Sequence, residues 1–119
     1  MPTTANSRVF LETVGGVTVA SFADADLIAD QVIEEVGRQL ENLAEGLELG
    51  RVVLNFREVR FMSSSMLAVL LRFSRKVSAA NGRLKLCCIA PSLREIFKIT
   101  RFDRIFEIFE EESTALDSF

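Results

Sequence analysis

The 119-residue chain contains no histidine, no tyrosine and no tryptophan. Without an imidazole there is no Ser–His relay, no histidine general base and no typical catalytic zinc site. No Gly-x-Ser-x-Gly elbow and no phosphate-cradling glycine loop occurs in it either, so nothing in the sequence supports an enzyme. Basic residues are dispersed and outnumbered, 14 against 17 acidic, for a net charge of −3. That balance argues against nucleic acid as a partner, which needs a positive footprint. No apolar run reaches the ~18 residues that cross a bilayer. Met1-Pro2-Thr3-Thr4 has no charged-then-apolar leader, so a cytoplasmic protein is expected. The carboxylates Glu107 and Glu110 to Glu112 lack further ligands at suitable spacing. They read as a solvated helix start, and neither metal nor cofactor is expected. The two cysteines are adjacent, Cys87 and Cys88, in a strand pattern that points neighbours to opposite faces. A bridge between them is geometrically poor, and they read as buried thiols of a reducing compartment.

What is present is a core. Hydrophobic residues make up 49% of the chain, which excludes intrinsic disorder. The length suits one domain over residues 1–119, with a disordered leader over 1–7. Val9 to Val14 and Val17 to Phe22 read as strands joined by Gly15-Gly16, a tight hairpin signal. Asp24 or Asp26 can cap the next helix, whose apolar stripe is Ala29, Val32, Ile33, Val36, Leu40 and Leu43. Gly46 and Gly50 punctuate its exit. Arg51 to Phe56 is a near-continuous apolar run, the mark of a central strand covered on both sides. A serine-led helix to about Ala80 follows, then the Asn81-Gly82 turn and a strand from Arg83 to Ile89. Pro91 opens a short helix with Ile96, Phe97 and Ile99, before a strand from Ile105 to Phe109 and a terminal helix ending near Ser118. The order β-β-α-β-α-β-α-β-α predicts an α/β fold: a single mixed sheet of about five strands with helices packed against it.

The junction Phe61-Met62-Ser63-Ser64-Ser65-Met66-Leu67 is the most informative stretch. A serine hydroxyl accepts from an unpaired N–H at a helix start, and the same place favours an anion such as a phosphate. One reading is capping by one of the three serines with the others solvated; the other is a phospho-acceptor. On the helix that follows, apolar residues cover roughly 200° of the circumference, twice the usual ~100° stripe. Either the helix is deeply packed, or one apolar edge is left exposed to dock a protein.

The junction resembles the signature of the STAS domain, shared by bacterial anti-sigma factor antagonists and the cytoplasmic ends of sulfate transporters. There an apolar strand leads to Phe-Met-Asp-Ser-Ser-Gly-Leu-Gly and an apolar helix. Phe61, Met62, Ser64, Ser65 and Leu67 match without a gap; Ser63 replaces aspartate, and Met66 and Ala68 replace glycines. Asn81 to Leu86 resembles the family's Gly-Gly-x-Leu strand entry. Pro91 and Lys98 to Phe106 resemble its proline-led helix and its Leu-Thr-Gly-Leu-x-x-x-Phe ending, with Arg101 replacing the glycine. The resemblance spans nearly the whole chain and implies a STAS fold. It implies phosphorylation at Ser64, with Ser63 and Ser65 as fallbacks, by a serine kinase that is also the anti-sigma factor. It further implies a docking site built from Asp24, Met62, Ser63, Ser65, Met66 and Val69. The function so implied is a non-enzymatic switch, binding an anti-sigma factor kinase when unphosphorylated and reset by a phosphatase. It would be a monomer or weak homodimer, without nucleic acid or membrane. A constitutive signalling scaffold and a nucleotide- or lipid-binding module remain the alternatives.

Overall fold

The computed structural model describes residues 7–46 and 50–119, so the leader expected over residues 1–7 lies outside it apart from Ser7. The hairpin forms as expected. Strands β1 (Val9–Val14) and β2 (Val17–Phe22) pair antiparallel, with Val14 opposite Val17 across the turn. Gly15 and Gly16 adopt φ of +55° and +82°, the left-handed pair that this two-residue turn requires. Next come β3 (Asp26–Leu27), α1 (Asp30–Glu45), β4 (Arg51–Asn55), β5 (Phe61–Met62), α2 (Ser64–Ala79) and β6 (Arg83–Cys87). The chain ends with α3 (Pro91–Ile99), a 3₁₀ turn at Phe102–Arg104, β7 (Glu107–Phe109) and α4 (Glu112–Asp117). The main sheet has the order β1-β2-β4-β6-β7, parallel from β2 onward. This is the mixed α/β architecture expected, with one addition: β3 and β5 form a separate two-stranded parallel pair.

Helices α1, α2 and α3 pack on one face of the sheet. Ile33, Val36 and Leu40 of α1, Met66, Leu70 and Phe73 of α2, and Leu93 and Phe97 of α3 meet Ala20, Phe22, Leu54 and Leu86 in one core. The Phe22 and Phe56 rings lie 4.9 Å apart and Phe56 meets Phe97 edge-on at 6.4 Å, each pair adding about 0.5–1.5 kcal/mol beyond burial. The other face carries Val17, Val19, Val53 and Cys87, covered by Ala115 of α4. There the buried ammonium of Lys85 donates to Glu107 Oε2 at 3.1 Å and to the Ser118 carbonyl at 3.2 Å. The Phe119 ring lies 4.7 Å from it, so a buried charge is paired and anchors the C-terminal turn.

Several expectations about details are corrected. Neither Asp24 nor Asp26 caps α1; the N-cap is Ala29, without a side-chain bond. The β3 pairing takes up residues 26–27 and delays the helix, leaving Asp30 to supply the first-turn negative charge. Strand β6 ends at Cys87, because Cys88 takes a left-handed backbone with φ +61°. Both cysteines therefore belong to the α4 side rather than to opposite faces, Cys87 within that cluster and Cys88 packed against it. The last strand begins at Glu107 rather than Ile105, because the 3₁₀ turn consumes the residues before it. Gly82 holds the α2–β6 turn for a steric reason. A Cβ there would lie 2.7 Å from the Gly50 carbonyl oxygen and 2.9 Å from Val77 Cγ1.

Candidate functional site

The serine junction sits where the chain leaves the sheet after β4 and enters α2. Ser63 is the N-cap, in extended conformation (φ −87°, ψ 168°), and its hydroxyl accepts from the Met66 N–H at 3.3 Å. The Ser63 N–H donates to the Leu27 carbonyl at 3.0 Å, and the Arg60 N–H to the Ala25 carbonyl at 2.7 Å. These bonds, with the β3–β5 pairing, bring the loop after β2 beside the junction. Ser64 and Ser65 are exposed in the first turn of α2, which contains no acidic residue to offset the positive helix end. The capping role that the sequence left among three serines falls to Ser63. Ser63 caps, and the Ser64 hydroxyl has no hydrogen-bond partner among the described residues.

The other residues implied for docking are placed unevenly. Met66 is fully buried, and Met62 and Val69 are 8% and 6% exposed. All three belong to the core cluster, Met66 and Val69 on the broad apolar arc of α2 and Met62 on β5. Exposed apolar surface at the junction comes from two residues that the sequence reading did not assign to docking. Ile28, next to Leu27, is 50% exposed, and Phe61 of β5 is 58% exposed. Asp24 is occupied: the Arg8 guanidinium donates to its Oδ1 and Oδ2 at 2.9 and 3.1 Å, and to Glu35 Oε2 at 2.8 Å. The hydrogen bonds that Arg8 donates, to Glu35 first and Asp24 second, hold its pKa above the ordinary value.

Asn55 was also missed. Buried at the end of β4, its amide donates to Glu112 Oε1 at 2.8 Å, and its Oδ1 accepts from the Arg57 N–H at 2.8 Å. It fixes the start of the loop that leads to the serines. An asparagine inside Val-Val-Leu-Asn-Phe was the available signal, since a buried amide must find partners. Among the described residues no group of three or more metal-ligating side chains exists, and no helix is long and apolar enough to cross a membrane.

A sequence model of the STAS domain matches residues 12–115. The chain belongs to the STAS family. Among its relatives is BtrV of Bordetella bronchiseptica, a candidate anti-sigma factor antagonist by name, 34% identical over 84 residues. That match covers 68% of this chain and 72% of BtrV. A STAS domain protein from Planctomyces limnophilus superposes with a TM-score of 0.83 at 21% identity, covering 92% of this chain and 95% of its own. The Bacillus protein SpoIIAA, solved in its phosphorylated form, superposes with a TM-score of 0.68 at 22% identity, covering 92% and 97%. At these identities the two structures speak for the fold, and the sequence matches speak for the family. This STAS chain is of the anti-sigma factor antagonist type.

Proposed function

We propose that this STAS protein is a non-enzymatic switch that docks an anti-sigma factor with serine kinase activity and is released by phosphorylation of Ser64. The observation that carries the reading is the division of labour at the junction. Ser63 already caps α2, so the exposed Ser64 hydroxyl is free to be modified without removing a structural bond. A phosphate brings a charge of about −1.5 to −2. The uncompensated N-terminus of α2 tolerates it, while the apolar rim of Ile28 and Phe61 turns it against a partner that must shed water to dock. In this reading Ser65 and Asp24 form the rim of the docking surface. A phosphatase returns the chain to its binding form. The supporting comparisons are the antagonist relatives and the phosphorylated form in which SpoIIAA was solved.

The test uses the anti-sigma kinase captured from the native host by the wild-type chain. With ATP it should phosphorylate the wild type at Ser64 and leave Ser64→Ala unmodified. Ser64→Asp should lose at least ~10-fold in affinity, equal to about 1.4 kcal/mol. Phosphate mapped elsewhere, together with equal binding by wild type and Ser64→Asp, refutes the switch.

A further inference from the structure

The proposed switch leaves both cysteines of the chain unused. Adjacent residues of a strand point to opposite faces, but the left-handed backbone of Cys88, φ +61°, returns its side chain to the α4 side, where Cys87 lies. The backbone holds the pair from two directions. The Cys87 carbonyl accepts from the Phe56 N–H at 3.0 Å, and the Cys88 N–H donates to the Phe109 carbonyl at 3.3 Å. A hydrogen bond between the two side chains is among the causes that keep Cys87 protonated. Cys87 is buried, while Cys88 is half-buried and borders an open depression of about 540 Å³ between Arg57 and the run Glu110 to Ser113.

A disulfide does not suit this pair. It needs Cα atoms roughly 4.4–6.8 Å apart, and the trans peptide between Cys87 and Cys88 holds theirs at about 3.8 Å. An atom held between the sulfurs removes that conflict, because the sulfurs then stay apart. Charge narrows the choice of atom. Cys87 packs among Val17, Val19, Val53 and Ala115, where an anion is costly; Glu112 adds to that cost and Arg57 offsets part of it. Two thiolates on a monovalent soft cation leave a net negative charge. A divalent cation such as zinc calls for further ligands, and no group of three or more metal-ligating side chains exists among the described residues. A trivalent centre that keeps one carbon substituent is neutral once it holds two thiolates.

We infer that Cys87 and Cys88 form a dithiol site for a monosubstituted trivalent arsenical, R–As(OH)2, whose substituent R lies in the depression beside Cys88. Two As–O and two S–H bonds break and two As–S bonds form. Each thiol proton leaves with a hydroxyl as water, and arsenic stays trivalent, so no oxidant or reductant is needed. The more accessible Cys88 makes the first bond, and the adjacent Cys87 closes the ring.

The test adds phenylarsine oxide to the full native chain and reads the mass under non-denaturing conditions, the free thiols and the far-UV circular dichroism. One phenylarsenic group should bind per chain, both thiols should disappear and the fold should persist. Excess 2,3-dimercaptopropanol should restore both thiols. Cys88→Ser, at a half-buried site, and Cys87→Ala should each bind at least ~10-fold more weakly than wild type. A synthetic peptide spanning residues 83–90 carries the same two cysteines without the fold. It should also bind at least ~10-fold more weakly, since the folded chain has already ordered the pair. A native chain that takes up no arsenic until urea unfolds it overturns the inference. So does a Cys88→Ser chain that binds as tightly as wild type, or a peptide that matches the folded chain.

Discussion

Replacing Ser63 and Ser64 separately pulls apart two roles that the sequence places side by side. The Ser63 hydroxyl accepts from Met66 at 3.3 Å, just beyond the usual hydrogen-bond range, so its cap belongs in the lower half of the usual 0.5–2 kcal/mol. Taking about 0.5–1 kcal/mol, and roughly 4 °C per kcal/mol for a domain of this size, Ser63→Ala should lower the melting temperature by about 2–4 °C. Ser64→Ala removes a hydroxyl with no partner and installs a better helix former, so its melt should match or slightly exceed wild type. Ser64→Asp places a carboxylate in a first turn that has no acidic residue. It should stabilise by about 0.3–1 kcal/mol at low salt, with the gain shrinking as salt is added. Thermal melts by circular dichroism at two ionic strengths read all three. If Ser64→Ala loses as much as Ser63→Ala, the Ser64 hydroxyl is structural. If Ser64→Asp is destabilised, the helix start does not accept the charge, and a phosphate that leaves the fold intact is refuted.

Two further predictions concern strain and burial. Arg101 holds φ +64°, a conformation that costs a residue with a Cβ about 1–2 kcal/mol; Arg101→Gly should raise the melting temperature by roughly 2–4 °C after its own entropy cost, and no gain in the melt would show that the turn is not strained. Burial first, and the neighbouring Cys88 second, push the Cys87 thiol pKa above its ordinary value. The folded chain therefore keeps a proton that the unfolded chain loses. This contribution is full below the unfolded thiol pKa of about 8.5 and is lost as pH rises above it toward the folded value. Urea midpoints should fall between pH ~7.5 and ~9.5. The fall should shrink in Cys87→Val, with no tyrosine to confuse the reading, and an unchanged slope in that variant would refute the assignment.

Much of the fold was legible because it rests on local pattern. The glycine pair, the two hydrophobic periods and the β–α alternation each act within a few residues, and the main strands and helices fall where those patterns put them. The misplaced start of α1 has a non-local cause. The β3–β5 pair joins segments more than thirty residues apart, yet it decides where α1 begins. Two-residue strands carry no periodic signal. The same contact sets Ile28 and Phe61 out toward solvent, which hydrophobicity alone had assigned to no surface.

At the site, the sequence by itself determined that three serines stand at the start of α2 and that no histidine accompanies them. Serine chemistry limits each to a cap, a solvated hydroxyl or a modified one. Only the tertiary structure decided which serine caps, because the cap depends on the backbone angles of Ser63, held by its bond to Leu27. Only packing decided that Met62, Met66 and Val69 turn inward while Ile28 and Phe61 remain outside. A 3.6-residue period tells which residues share a helix face, but not what stands opposite that face, and burial is a property of both.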